Sequence, residues 1–337
     1  MIDIFKGKNV LITGGTGFLG RALAKEILKY EPRTIRVFSR DEVKHHNFQE
    51  IFNHDPKLRN LIGDVRDYSR VLKATKGADI VIHAAALKRI DMIEYNVEEA
   101  IKTNIIGSLN VVNACLENNV SKVVFVSTDK ACSPVNTYGA CKFVSERIFS
   151  ESNYSKGASK TILTCVRYGN VLESTGSVIP FFNKKIKDGD IIPLTNPEMT
   201  RFIITPKEAV ELIFKAIKYG VGGEVFIPKL PAMRIVDLIE VLKEINNSDN
   251  DMHITGIRPG EKIHEIMIND SEIPRTYDFE NVYVIDSCIV NSFPIEVKGD
   301  YTKTGNRIDE NAMTEYSSKD SVVAKEELKK ILLPLLK

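Results

Sequence analysis

Asn9-Val10-Leu11-Ile12-Thr13 is a largely apolar run that passes directly into Gly14-Gly15-Thr16-Gly17-Phe18-Leu19-Gly20. The glycines at Gly14, Gly17 and Gly20 have GxxGxxG spacing, and an amphipathic pattern over Phe18–Lys29 follows. A strand that turns through glycines into a helix commits the chain to a β-turn-α unit. Glycine permits the tight turn and lets a pyrophosphate approach the helix N-terminus, where free N–H groups and the helix dipole favour anions. Between a first strand and a first helix, the pattern reads as the first turn of a dinucleotide-binding domain.

The alternation continues. Ile35–Ser39, Leu58–Ile62, Ile80–His83, Val123–Ser127 and Ile162–Arg167 read as strands. Helical patterns over Glu42–Phe52, Tyr68–Lys76, Glu98–Asn118 and Thr137–Ser150 separate them. Strands alternating with helices imply right-handed crossovers and a parallel sheet covered on both faces. The expected fold class is therefore α/β, a Rossmann-type doubly wound parallel sheet over residues 1–168. After Arg167, Pro, Gly and Asn become frequent. Helices near Val178–Lys187, Lys207–Lys218 and Ile235–Ile245, with short strands near Ile191–Pro193 and Val225–Ile227, predict a smaller C-terminal α/β substrate lobe over 169–290, interleaved or separate. The segment 291–337 is polar, with a final helix expected over Val322–Leu336.

The 337 residues are 43% hydrophobic, enough for a sizeable core, and the net charge of +1 supplies no basic stripe for nucleic acid. No stretch reaches the roughly 18 apolar residues of a membrane span, and the start lacks the apolar run of a signal peptide. Five scattered cysteines, Cys115, Cys132, Cys141, Cys165 and Cys288, have no CxxC or metal-ligand spacing. They read as free thiols of a reducing cytosol.

The second strand ends Val37-Phe38-Ser39-Arg40-Asp41. Ser39 does not repel a phosphate and Arg40 suits one, which favours NADP; Asp41 is the carboxylate an NAD site would use. Asp64, after the third strand, is placed to accept from an adenine amine. His83-Ala84-Ala85-Ala86 ends the fourth strand with small residues that allow close approach. His83 itself reads as a strand-end histidine satisfied by a backbone carbonyl.

The fifth strand ends in Ser127-Thr128-Asp129-Lys130, and the next helix opens with Tyr138-Gly139-Ala140-Cys141-Lys142. Tyr138 and Lys142, four residues apart, share one helix face. An acid, an amine and a phenol thus converge on one cleft, more than a simple alcohol oxidation needs.

Together these stretches resemble the extended short-chain dehydrogenases/reductases. Within them, Ser39-Arg40-Asp41-Glu42, Gly63-Asp64-Val65-Arg66-Asp67, Lys102-Thr103-Asn104-Ile105, Ser127–Ala131, Arg167–Val171, Met199-Thr200-Arg201-Phe202 and Arg258-Pro259-Gly260-Glu261-Lys262 resemble UDP-N-acetylglucosamine 4,6-dehydratases. The likeness is strongest to the inverting group that opens pseudaminic acid biosynthesis. Asp129-Lys130 together with Tyr138 directs the reading there; simple 4-epimerases carry small or hydroxyl residues at the Asp-Lys positions.

The resemblance implies catalytic roles for Thr128, Asp129, Lys130, Tyr138 and Lys142. It implies a tightly bound, recycled NADP at Gly14, Thr16, Gly17, Phe18, Leu19, Gly20, Ser39, Arg40, Asp64, Val65, Ala84, Ala85 and Lys88, with Tyr138 and Lys142. It implies UDP-N-acetylglucosamine at Lys88, Asn170, Val178, Arg201, Arg258 and Glu261, and a homo-oligomer. In the implied chemistry, oxidation at C4 acidifies the C5 proton. Tyr138 takes the C4 hydroxyl proton, its pKa lowered by Lys142 and the positive nicotinamide. Lys130, neutral, takes the C5 proton. Asp129, protonated and poorly solvated, donates to the departing C6 oxygen.

Overall fold

Ten strands form the central sheet of the computed structural model, which describes residues 2–172, 174, 178–290, 292 and 298–335. They are β1 (Asn9–Thr13), β2 (Thr34–Ser39), β3 (Leu58–Ile62), β4 (Ile80–His83), β5 (Lys122–Val126), β6 (Ile162–Val166), β7 (Val225–Pro228), β8 (Thr276–Phe279), β9 (Val282–Ile285) and β10 (Asn306–Arg307). Their spatial order is β10-β8-β9-β7-β6-β5-β4-β1-β2-β3. Strands β3 through β7 in that order run parallel, with Val10 opposite both Ile35 and Ile80. The order reverses between β1 and β4, the switch point where doubly wound sheets bind ligands. This is the expected Rossmann-type sheet; its inner strands β1, β4, β5, β6 and β7 are buried between helices, while β3 and β10 at the two edges are not.

The antiparallel edge was not legible in the sequence. β9 pairs antiparallel with β7, β8 with β9, and β10 with β8. Residues beyond 169 thus build the large sheet as well as the second lobe. That lobe has its own core, including Ile179, Phe182, Leu194, Met199, Leu238 and Leu242. The helix Lys325–Leu332 adds Leu328 and Leu332 to it. The final helix starts at Lys325 rather than Val322, because Val322 bridges to Ala232 in extended form; the expected end at Leu336 lies outside the described residues. The expected helix over Glu98–Asn118 is present as Val97–Glu117, widened by a π-turn at Ile101–Ile106. Ile90–Tyr95 forms an additional short helix. Among the described residues no helix is long and apolar enough to cross a membrane.

Candidate functional site

The nucleotide end is shaped by backbone contact. Gly14 has φ +69°, and a Cβ there would lie 2.8 Å from the Ala85 amide nitrogen, so only glycine lets the β1 and β4 turns meet. The following helix, Phe18–Leu28, starts at Gly17 with no side-chain cap. Its first N–H groups therefore remain available to an anion. The small turn at Ala84–Ala85 and this uncapped terminus fit a dinucleotide.

At the end of β2, where the sequence places the adenosine, Thr16 Oγ1 lies 2.9 Å from Ser39 Oγ, and Ser39 Oγ lies 3.0 Å from His45 Nε2. Asp41 spends its carboxylate accepting from the Lys44 amide at 3.0 Å as the cap of helix Glu42–Ile51. Asp64 has partners of its own within the chain. Its two oxygens accept from the Arg66 amide and Nε, each at 2.9 Å, and Arg40 Nη1 is 3.5 Å away. Burial opposes ionisation of Asp64, but Arg66 and Arg40 outweigh it and hold the carboxyl below its usual range. Asp64 is thus a tether for Arg40, whose side chain is half exposed. Val65 is buried beside it, and Lys88 is exposed after β4.

His83 is buried and neutral. Its Nδ1 lies 2.6 Å from Thr13 Oγ1 and its Nε2 3.2 Å from Ser108 Oγ. Its partners are hydroxyls rather than the expected carbonyl. Burial, aided by the Lys142 charge, pulls the imidazole down to about 3.

The chemical centre lies at the end of β5. Thr128 opens a single 3₁₀ turn over Asp129–Ala131. Helix Thr137–Ser155 is capped by Asn136, whose side chain accepts from the Gly139 amide at 2.8 Å. A Cβ on Gly139 would fall 2.2 Å from the Lys130 carbonyl oxygen. Glycine next to Tyr138 therefore lets the helix close on the turn that bears Asp129 and Lys130. Lys142 donates to the Val126 carbonyl at 2.6 Å and sits 4.2 Å from the Phe125 ring centre. Burial draws its amine down to about 8, against the upward pull of Glu146.

Asp129 is fully buried. Its Oδ1 accepts from Thr128 Oγ1 at 2.9 Å and from Lys130 Nζ at 3.0 Å, while Oδ2 has no hydrogen-bond partner. Lys130 Nζ also lies 3.4 Å from Glu265 Oε1 and 3.5 Å from Asn170 Oδ1. Two expectations are corrected here. Burial lowers the Lys130 amine, but Asp129 and Glu265 outweigh it, so the resting group is an ammonium and not a free amine. Burial pushes the Tyr138 phenol up to about 12; Lys130 rather than Lys142 is the cation that pulls it down. Cys132 and Cys141 are buried beside the site with their thiols pushed up by burial, so neither is a thiolate nucleophile.

The expected substrate residues divide. Asn170 reaches the centre through Lys130. Arg201 is buried and internally engaged, donating to the carbonyls of Thr200 at 2.7 Å, Ile263 at 3.1 Å and Lys262 at 3.0 Å. It is a brace for that segment, not the open anion clamp expected. Arg258 is exposed, and Glu261 has a buried Oε2 without a hydrogen-bond partner. Their loop docks on the start of helix Thr137–Ser155, where Asn136 Nδ2 donates to the Gly260 carbonyl at 2.7 Å. Val178 opens the helix Val178–Lys187 and packs against the second core. Sequence reasoning missed Glu265; its one signal was its position three residues beyond Lys262.

The family described as Polysaccharide biosynthesis protein matches residues 10–287. A Campylobacter jejuni relative named UDP-N-acetylglucosamine 4,6-dehydratase (inverting) is 46% identical, over 88% of this chain and 90% of its own. A Rickettsia massiliae relative named UDP-glucose 4-epimerase is 40% identical over 84% of each chain. The X-ray structure of Pen from Bacillus thuringiensis superposes with a TM-score of 0.90 at 38% identity, covering 98% of both chains. With its glycine turn, its Tyr138/Lys142 helix and these relatives, the chain belongs to the polysaccharide biosynthesis protein family of extended short-chain dehydrogenases/reductases.

Proposed function

We propose that this chain is an NADP-dependent UDP-N-acetylglucosamine 4,6-dehydratase that inverts C5, a first step toward pseudaminic acid. The buried Asp129–Lys130 pair beside Tyr138 carries the proposal, and the name of the Campylobacter relative supports it. Moving a hydride at C4 needs a tyrosine and a lysine. Expelling water across C5 and C6 needs a second base and an acid as well.

When bound, the nicotinamide supplies reversible hydride storage, oxidising C4 at the start and reducing C6 at the end. Tyr138 rests as a phenol, so its proton must leave to solvent before its oxygen accepts the C4 hydroxyl proton; Lys142, titrating near 8, would favour that phenolate with positive charge on the same helix face. The Lys130 ammonium and Asp129 carboxylate are one proton transfer, across a 3.0 Å hydrogen bond, from a neutral amine and a neutral acid. The two forms hold the same number of protons, so no proton from solvent is required. Exclusion of water by the sugar favours the uncharged form. Lys130 then takes the C5 proton, Asp129 gives its proton to the departing C6 oxygen, and the ion pair is restored. A proton from solvent then returns to C5 on the opposite face and inverts it, matching the one released from the Tyr138 phenol.

Arg40, tethered by Asp64 and half exposed, supports binding of a ribose 2′-phosphate. Arg258 and Glu261 are assigned to the nucleotide diphosphate and its ribose, with residues 1–168 holding the cofactor.

A second reading, a nucleotide-sugar 4-epimerase, is favoured by the name of the Rickettsia relative. Incubation with UDP-N-acetylglucosamine in D₂O, followed by proton NMR and mass spectrometry, separates the two. The dehydratase gives a C6 methyl group, loss of one water and deuterium at an inverted C5. A C4 epimer of unchanged mass refutes it in favour of the epimerase, and a retained C5 refutes inversion.

A further inference from the structure

Glu265 is 2% exposed and enters the centre from 135 residues beyond Lys130 in the chain. Its backbone is fixed on both sides. The Glu265 amide donates to Ser318 Oγ at 2.9 Å, and the Ser318 amide donates to the Glu265 carbonyl at 2.8 Å. Ser318 Oγ in turn lies 2.7 Å from Thr200 Oγ1, which lies 2.8 Å from His264 Nδ1. On the side chain, Oε1 is 3.4 Å from Lys130 Nζ and 3.7 Å from Arg201 Nε. Oε2 has no hydrogen-bond partner and lies 3.9 Å from Lys262 Nζ. A structural brace works through hydrogen bonds, and this carboxylate leaves one oxygen unused at a buried position, which is costly. What it supplies is charge.

Resting on the dehydratase reading above, we propose that Glu265 is a positioning residue for the elimination: its carboxylate fixes the Lys130 amine against Asp129 and balances the charge that the amine acquires with the C5 proton. The groups facing Lys130 are Asp129 on its own turn, Tyr138 on the catalytic helix, Arg201 on strand Thr200–Ile204, and Glu265 on the segment leading from Lys262. Lys262 stands on the far side of Glu265. When Asp129 carries the proton it will give to the C6 oxygen, it is neutral. Between arrival of the C5 proton on Lys130 and departure of the proton from Asp129, Glu265 is the carboxylate left beside the ammonium. The atoms balance within the elimination itself: one proton enters at Lys130, one leaves from Asp129, and Glu265 exchanges none.

The test compares Glu265→Gln with the parent holoenzyme. Lysine labelled with ¹³C at Cε reports ionisation of Lys130 without turnover, its resonance assigned by Lys130→Arg. The titration is run in an Asp129→Asn background, which removes one of the two raising carboxylates. Loss of the second should lower the Lys130 midpoint by at least about one pH unit, tenfold in acid constant. Glu265→Asp, which keeps the charge, should leave it nearer the parent value. In the otherwise unaltered enzyme, Glu265→Gln should slow dehydration at least about tenfold while C4 oxidation, read as reduced-nicotinamide absorbance in one turnover, stays within about threefold. An unmoved midpoint overturns the proposal, as does a parallel fall of both steps. If Glu265→Gln does not fold, Glu265→Ala, which also removes the charge, carries the kinetic test: slowed dehydration with intact oxidation supports the role, and any other pattern refutes it. Absence of dehydration by the parent enzyme sinks the functional reading instead, and the Lys130 midpoint still decides the coupling.

Discussion

Arg167→Met should destabilise the fold strongly at neutral pH and much less in mild acid. The Arg167 side chain is 1% exposed and makes five hydrogen bonds. Two go to Glu146 at 3.1 and 2.6 Å, two to Glu272 at 2.8 and 2.9 Å, and one to the Met267 carbonyl at 2.7 Å. Burial alone would raise the Glu272 carboxyl; the Arg167 charge and hydrogen bonds overcome it and bring it from 4.5 to about 2. At about 1.4 kcal/mol per pH unit, that drop corresponds to about 3 kcal/mol, in line with the roughly 3–5 kcal/mol lost when a buried pair is broken. A depressed carboxyl stabilises fully above its unfolded value and loses that contribution as pH falls through its folded value, so the wild-type term fades between 4.5 and about 2. In the variant, burial acts unopposed on Glu272, its pKa rises, and the sign of its contribution reverses. The gap between the two proteins should therefore be about 3–5 kcal/mol at about pH 7.5 and shrink visibly by about pH 5. Urea unfolding at both pH values measures it, and Arg167→Met combined with Glu272→Gln should recover part of the loss. A loss below about 1 kcal/mol, or one equal at the two pH values, would refute the electrostatic account.

Lys130→Ala should still reduce the cofactor on addition of substrate but release no water; a normal yield of dehydrated sugar by mass spectrometry counts against Lys130 as the C5 base. Arg40→Ala should weaken NADP by about ten- to a hundredfold, the worth of one charge-assisted contact, with little change for NAD; equal losses by calorimetry would remove Arg40 from the phosphate site. His83 is held near 3 against an ordinary 6.5, so its neutral burial stabilises above pH 6.5 and the benefit falls by about 1.4 kcal/mol per pH unit on acidification. His83→Gln should flatten that slope between about pH 6.5 and 5 in denaturant titrations, and an unchanged slope would mean that His83 does not titrate with folding.

The parallel strands β1, β2, β4, β5 and β6 were legible because each is a short run rich in β-branched residues between turn signals, the pattern that helices on both faces demand. β8 was not, because Thr276-Tyr277-Asp278-Phe279 carries an aspartate on its exposed side, where it meets Lys229 at 2.7 Å. A strand with one wet face near the antiparallel end of the sheet looks like a loop until its partners β9 and β10 are known. In the site, Gly14 and the Tyr138/Lys142 pair declared themselves through local spacing. Glu265 did not, since its meaning lies in a contact with Lys130 that only the folded chain creates. The charge states failed for a related reason. The neutral lysine was inferred from the reaction step, while the resting amine answers to two carboxylates, one of which local sequence does not reveal. Arg201 was read as a phosphate ligand from its charge, but three backbone carbonyls had a prior claim on it.

Ser318 holds Glu265 from a strand and turn near the end of the chain, where Tyr316–Ser317 pairs with Ile266–Ile268. Synthesis runs from the N-terminus, so the nucleotide-binding half emerges from the ribosome long before this support. A growing chain can gather its cofactor cradle early, yet the distant counter-charge of Lys130 is held in place only after the residues up to Ser318 have been made. A premature stop ahead of Ser318 would leave a protein able to hold a dinucleotide and unable to secure the carboxylate behind its base.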